Sequence, residues 1–408
     1  MENLQVKPKT VIAKQVSIEQ KWLVLVVVSG LVLILGIKIG VYSFLNAVPE
    51  GFFKSAPAIR GAGTPDRILS PERSASDRYQ WQTLPEEIPV PLDNPMTPAK
   101  IELGKKLFFD KNLSADRSLS CASCHALEAK AGADGAAVST GIYGQMGDRN
   151  APTVWNTAFQ KLLFWDGRAG SLEEQAIQPF LNPVEMGMPS VGSIEMRVRE
   201  QPEYIEAFMR AYAGESDISI DKIVKAIASY ERTLITRDTP YDAFVLGDRN
   251  ALTPQQLNGM VLFADTGCIH CHFGPNFSAA SVFNEGQGLR GFPANPERLS
   301  QQYAFIDKNT QSWRVPSLRN VALTGPWLHN GEIDNLHDVV KVMSKAQLAK
   351  SEKRMFFWNK KELDRLENPD LTEQQVDDIV AFLHSLSSQK LVKARTEAMA
   401  TKVSIEHQ

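Results

Sequence analysis

Cys121-Ala-Ser-Cys-His125 decides how this chain is read. It is a Cys-x-x-Cys-His pentapeptide, the attachment signature of a c-type haem. Two thiols add across the haem vinyl groups, and the adjacent histidine reaches the iron as proximal ligand. The pattern returns as Cys268-Ile-His-Cys-His272. The chain contains 4 cysteines, and the two motifs use all of them. A four-cysteine zinc site fits poorly, because the pairs lie far apart and each carries its own histidine. A disulfide framework fits less well still in a chain of 408 residues. Two covalently bound haem c groups are therefore expected, one on Cys121, Cys124 and His125, the other on Cys268, Cys271 and His272.

The rest of the composition is that of a globular protein with a real core: 43% apolar and 22% charged residues. A formal charge of −3 and the lack of a basic tract exclude nucleic acid as a natural partner. Residues 1–21 carry Lys7, Lys9, Lys14 and Lys21 against Glu2 and Glu19 and are read as a cytoplasmic N-terminus. Residues 22–48 form an apolar run interrupted by Lys38. About 20 such residues cross a bilayer. The run is too long for the core of a cleaved signal peptide, so it is read as an uncleaved transmembrane anchor. The preceding lysines place the N-terminus inside and the remainder in the periplasm. Covalent haem attachment of this kind also belongs outside the cytoplasmic membrane. Residues 49–80, rich in Pro, Gly and Ser, read as a flexible linker.

Order should begin near Trp81. Thr97 is an expected N-cap with Pro98 at the first helical position, and Ala99, Leu103 and Leu107 make an i, i+4, i+8 stripe. Ile101 and Phe108 lie on another side, as in a helix packed between neighbours. That helix delivers the chain to the first haem motif. Residues 126–153 are Gly- and Ala-rich and read as a functional loop. Ser171-Leu-Glu-Glu174 predicts a capping box. Amphipathic helices are expected over 192–213 and 219–235. A second unit starts near Pro240, and Thr253 opens the helix leading into the second haem motif. Residues 274–312 read as mostly loop, 335–343 as helix, and Thr372 as the cap of a last helix through Leu386. The tail, 388–408, reads as loosely held. Period-two alternation is nearly absent, and no internal repeat is read beyond the haem motifs. The expected class is mainly α: two cytochrome-c-like helical domains, 81–236 and 237–387, each with one c-type haem, after the transmembrane helix.

These residues resemble the bacterial di-haem cytochrome c peroxidase family from about Pro85 to Leu386. The resemblance is carried by the two haem motifs and by Gly104-Lys-Lys-Leu-Phe-Phe-Asp110, Arg149-Asn-Ala-Pro152 and Phe164-Trp-Asp-Gly-Arg168. Pro183-Val-Glu-Met186, Pro316-Ser-Leu-Arg-Asn320 and Pro326-Trp-Leu-His329 add to it. It implies reduction of hydrogen peroxide to water at the N-terminal haem. Electrons would enter at the C-terminal haem from a small periplasmic donor, a cytochrome c or a cupredoxin. It implies Met343 as distal ligand of the C-terminal haem, Glu185 as the distal acid–base group, and Gln175 as the amide that positions peroxide. Trp165 is implied as the bridge between the haems, and Asn150, Thr324 and Pro326 as a calcium site at the domain interface. A homodimer is common in the family.

One departure matters. In many family members a loop histidine closes the N-terminal haem at rest; here Ile142 stands in its place, and no histidine occurs between His125 and His270. The N-terminal haem is expected to be open without prior reduction, with Tyr143 and Met146 as the remaining loop side chains able to ligate. Two other readings compete. One is a di-haem enzyme that oxidises tryptophans of a partner protein; the other is a membrane-anchored electron carrier or redox sensor. The first is disfavoured by a methionine rather than a tyrosine on the second haem, the second by the presence of Glu185 and Gln175.

Overall fold

A computed structural model describes residues 76, 79–307, 309–347 and 371–406, with side chains to residue 400. The expected anchor at 22–48, its flanking residues 1–21 and nearly all of the 49–80 linker lie outside the described residues. Among the described residues no helix is long and apolar enough to cross a membrane.

Ser76 is already buried, its N–H donating to Asp265 Oδ1 at 3.2 Å, and the buried hydroxyl of Tyr79 accepts the backbone N–H of Gly274 at 2.8 Å, so the end of the expected 49–80 linker is packed rather than flexible. Helix α1 spans Pro98–Phe109, and the Thr97 side chain accepts from the N–H of Lys100, as the sequence led us to expect. Helices α2 (Leu172–Leu181), α3 (Val191–Arg199), α4 (Pro202–Ala211) and α5 (Ile220–Glu231) complete the first unit. Their core gathers Leu103, Leu107, Phe108, Phe208, Ile223 and Ile227. α1 and α5 cross so closely that a Cβ on Gly104 would run into the Ala226 carbonyl. The second unit holds α6 (Pro240–Val245), α7 (Pro254–Asp265), a two-stranded antiparallel ribbon of β1 (Leu289–Phe292) and β2 (Gln311–Arg314), α8 (Leu336–Gln347) and α9 (Glu373–Ser385). Here α7 crosses α9 in the same manner, with Gly259 against the Asp378 carbonyl, over a core of Met260, Phe263, Phe277, Ile379 and Phe382. The class is mainly α with two cytochrome-c-like domains.

Several expectations need correction. The helix expected over 192–213 is two helices. Pro202 lacks an N–H and forces Gln201 to be extended (φ −102°), so α3 ends and α4 starts on the proline. The capping box at Ser171 is only half made: Ser171 Oγ accepts from the Glu174 N–H, but Glu174 Oε2 accepts from Gly170 rather than from Ser171. The segment 274–312 is mostly loop, as expected, but it also contains the ribbon's first strand and half of its second. The tail is not loose. Helix α10 (Gln389–Glu406) follows α9 directly, and its Leu391 is wholly buried in the core of the first unit.

The chain also carries an internal repeat beyond the haem motifs, contrary to expectation. Asn156 (φ 64°) and Asn320 (φ 62°) each start a 3-10 turn in the left-handed conformation, and each donates Nδ2 to the hydroxyl of Thr236, at 2.9 and 3.1 Å. Leu163–Ala169 and Trp327–Ile333 are matching loops, each closed by a β-bridge. Positive φ falls at Phe164 and Gly167 in one loop and at Leu328 and Gly331 in the other. Each loop accepts a backbone bond from the segment that precedes the other: Asn150 N–H to His329 O at 2.8 Å, and Arg314 N–H to Trp165 O at 2.6 Å. Such reciprocity is the mark of an approximate two-fold axis. It places Trp165 and His329 in equivalent positions, and likewise Asn150 and Arg314.

Candidate active site

Each haem motif is held in a short turn. Cys121–Cys124 is a single helical turn with a Ser120/Ser123 capping box, and Cys268–His270 is a 3-10 turn started by Gly267 at φ 94°. His125 Nδ1 lies 3.1 Å from the Gly132 carbonyl, and His272 Nδ1 lies 3.1 Å from the Phe277 carbonyl. A carbonyl can only accept, so Nδ1 carries the proton and Nε2 keeps its lone pair. This is how a metal-bound histidine is usually oriented. Burial lowers the pKa of both imidazoles, that of His272 to about 4, so both are neutral. Burial also pushes the thiols of Cys121, Cys124 and Cys268 up, the last to about 11. Both histidines and all four cysteines line one continuous cavity of about 800 Å³. Among the described residues no three His, Cys, Asp or Glu side chains converge as a zinc site requires. The donors, their orientation and the shared cavity fit two covalent haems.

On the His125 side, Glu185 and Gln175 stand on the cavity wall. Glu185 Oε1 accepts from Asn182 Nδ2 at 2.8 Å. Burial raises its carboxyl above the ordinary range, although the Asn182 bond and the Arg168 charge pull it down. Arg168 is fixed by Gln178 (2.8 Å) and Asp166 (2.9 Å) and lies 3.5 Å over the Phe164 ring. Ile142 is buried, and its N–H donates to the Glu185 carbonyl at 3.0 Å, so the loop is tied to the turn that carries the acid. Tyr143 is 73% exposed and is not part of the cavity wall. Met146 reaches the wall, and its sulfur accepts from Thr140 Oγ1 at 3.3 Å.

Trp165 lines the same cavity. Its indole N–H donates to the Asn150 carbonyl at 2.8 Å, and its ring meets His329 edge-on at 6.5 Å. His329 in turn stacks on Trp313 at 4.1 Å, and the Arg149 guanidinium covers Trp313 at 4.5 Å. Met343, on α8, lines the cavity too. Asn150, Thr324 and Pro326 are each among the residues that line it. The Asn150 amide nitrogen is occupied by the Ala136 and Ala137 carbonyls, and the Thr324 hydroxyl bonds the Val321 carbonyl. What remains to offer a cation is an amide oxygen and main-chain carbonyls, a donor set suited to Ca²⁺. His337 is not part of this site; it pairs with Asp377 at 2.8 Å on the surface of α8.

Three wall residues escaped the sequence reading. Glu231 is buried, has no hydrogen-bond partner for Oε2 among the described residues, and is pushed up to about 8 by burial. Its neighbour Arg232 pairs with Glu173 instead, which no local pattern announces. Trp313 and Arg314 immediately precede the Val-Pro-Ser-Leu-Arg-Asn stretch, and that adjacency was the available signal.

Two proximal histidines, each with its own cysteine pair on one shared cavity, define a di-haem c-type cytochrome. The chain belongs to the di-haem cytochrome c peroxidase family. Residues 98–250 match the family profile described as di-haem cytochrome c peroxidase, and residues 256–387 match that of cytochrome c. The cytochrome c551 peroxidase of Pseudomonas aeruginosa is 38% identical over 324 residues, covering 76% of this chain and 85% of that protein. The cytochrome c peroxidase Ccp of Escherichia coli is 39% identical over 311 residues; the match covers 73% of this chain but 60% of that protein. The methylamine utilization protein MauG of Methylorubrum extorquens is 35% identical, covering 81% and 89%. Among solved structures, a MauG-like protein associated with microbial copper homeostasis matches with a TM-score of 0.61 and 30% identity, over 77% of this chain and 97% of that one.

Proposed function

We propose that this protein reduces hydrogen peroxide to two waters, consuming two electrons and two protons, with the electrons supplied by a cytochrome c or cupredoxin. The observation that carries the reading is a buried carboxyl, Glu185, with the amide of Gln175, on the wall of the cavity that holds His125. Haem supplies the iron that accepts peroxide and passes electrons. The protein's own residues handle protons and position. Glu185, ionised, takes the proton from the peroxide oxygen nearer the metal and returns it to the departing one, which leaves as water. Asn182 holds the carboxyl in place for both transfers. Gln175 offers one donor and one acceptor to orient the peroxide. Met343 supplies a thioether to the haem of His272; thioether ligation favours the reduced metal and suits an electron-entry site. Trp165, packed between the halves, bridges the two haems, and Asn150, Thr324 and Pro326 hold calcium beside it. Residues 22–48 anchor the enzyme in the cytoplasmic membrane with its haem domains in the periplasm.

One observation favours a second reading. Ile142, which the family resemblance aligns with the closing histidine, is buried, and relatives named MauG match at similar identity. An enzyme that oxidises tryptophans of a partner protein would share that open site. The peroxidase reading is preferred because Met343 lies on the cavity wall, where the alternative requires a tyrosine. A passive carrier would need neither Glu185 nor Gln175. The test is steady-state peroxide reduction by ferrocytochrome c, with and without prereduction of the enzyme. Turnover without a lag in both is expected. No turnover in either dismisses the peroxidase reading, and a requirement for prereduction dismisses the open resting site.

A further inference from the structure

Three arginines are buried among the described residues: Arg232, Arg314 and Arg319. Two have carboxylates. Arg232 bonds both oxygens of Glu173, at 2.7 and 2.9 Å, and Arg319 bonds both oxygens of Asp242, at 2.8 and 2.9 Å. Arg314 has none. Its Nε donates to the Phe164 carbonyl at 2.9 Å, and no acidic side chain offsets the cost of its burial, which lowers its pKa to about 10. A guanidinium does not give up its proton in a protein, and a buried charge without a counter-ion costs several kcal/mol. The missing anion must come from whatever fills the cavity that Arg314 lines.

The placement of Arg314 narrows what that anion is. It ends β2, its N–H donates to the Trp165 carbonyl at 2.6 Å, and its guanidinium lies 5.9 Å from the Trp165 ring. It therefore stands in the gap between the two haem-binding halves. Of the other cavity arginines, Arg149 has Asp148 at 3.6 Å and Arg168 has Asp166 at 2.9 Å, while Arg290, only half-buried, bonds the Gln287 and Leu289 carbonyls; Arg314 is the one that is buried there. The site breaks the internal symmetry as well, because the equivalent position holds Asn150, whose amide is spent on two carbonyls. A haem carries two propionate carboxylates on one edge, and a guanidinium matches a carboxylate's two oxygens.

We propose that Arg314 is the counter-ion of a haem propionate, holding it beside Trp165 and raising the midpoint potential of that haem. A fixed cation near the iron disfavours the more positive, oxidised metal, so the neutral Asn150 on the equivalent side leaves the two haems electrostatically unlike. The proposal rests on the two haems alone and stands whether or not peroxide is the substrate.

The test is a spectroelectrochemical titration of both haems in the full-length holoprotein, with haem content measured by pyridine haemochromogen, for Arg314→Leu, Arg314→Gln and Arg314→Lys. In the leucine and glutamine variants one haem is expected to shift its oxidised-to-reduced ratio at fixed potential by at least about tenfold towards oxidised, equal to about 59 mV for one electron. The lysine variant keeps the charge and is expected to stay nearer the wild type. Should leucine impair haem loading, glutamine against lysine carries the same comparison. Wild-type potentials for both haems in the neutral variants overturn the proposal, as does a lysine variant that shifts as far as they do.

Discussion

Glu185→Gln removes one ionisable proton and leaves the surroundings in place. The Asn182 amide that donates to Oε1 at 2.8 Å finds the same acceptor in glutamine. The backbone bond from Ile142 to the carbonyl of residue 185, 3.0 Å, is unaffected. A positioned acid–base group is worth about 10²–10⁴ in rate, or about 3–5 kcal/mol of barrier at 1.36 kcal/mol per decade. That is the fall expected in kcat/KM for peroxide with ferrocytochrome c, with the absorption spectra of both haems unchanged. The wild-type rate should carry an acid limb, because Glu185 must be ionised to take the first proton. Burial, the largest influence, sets its pKa above the ordinary 4.5, so activity is lost as pH falls through that raised value; Asn182 and Arg168 oppose the shift without cancelling it. The limb should vanish in the variant. Stability runs the other way. The folded protein holds this proton more tightly than the unfolded chain, so wild-type stability is complete below about 4.5 and declines as pH rises through the folded value. Above that window the glutamine variant should be the more stable of the two. Turnover close to wild type, or an acid limb that survives the substitution, refutes the assignment.

Met343→Ala should lower the midpoint potential of the C-terminal haem and leave its covalent attachment intact, since Cys268, Cys271 and His272 are untouched; an unchanged potential in a redox titration removes Met343 from the ligand set. Asp242→Ala strips the counter-ion from the fully buried Arg319 and should cost about 3–5 kcal/mol, read from the urea midpoint of the oxidised protein. Adding Arg319→Leu to that variant should recover stability, because the stranded charge goes with it.

What the sequence disclosed was chemistry with a local spelling. The haem motifs and the caps at Thr97 and Thr253 follow from neighbouring residues, and the structure puts each of them in place. What it concealed was assembled at a distance or written in the backbone. The internal repeat escaped because equivalent positions share conformation and not side chains: Phe164 and Leu328 both sit at positive φ, while Trp165 and His329 have nothing chemical in common but a ring. Arg314 drew no reading from the sequence, because nothing in its neighbouring residues announces a buried guanidinium without a carboxylate. Tyr143 is a plausible ligand on paper, yet a positive φ of 54° and a backbone bond to Asp116 turn it to solvent. The tail was misjudged because the apolar partner of Leu391 lies in the first unit, out of reach of any window drawn along the chain.

That last helix has a consequence for anyone cutting the gene. The first unit is not a contiguous stretch of sequence. Leu391 fills part of its core, while Ser388 N–H bonds Asn320 Oδ1 at 2.9 Å and Lys390 N–H bonds Asp238 Oδ2 at 2.8 Å, so the strap is sewn to the second unit on the way. A fragment ending at the boundary between the haem domains would be missing a piece of its own interior. During synthesis, likewise, the first half to leave the ribosome has an incomplete core until residue 391 has been made.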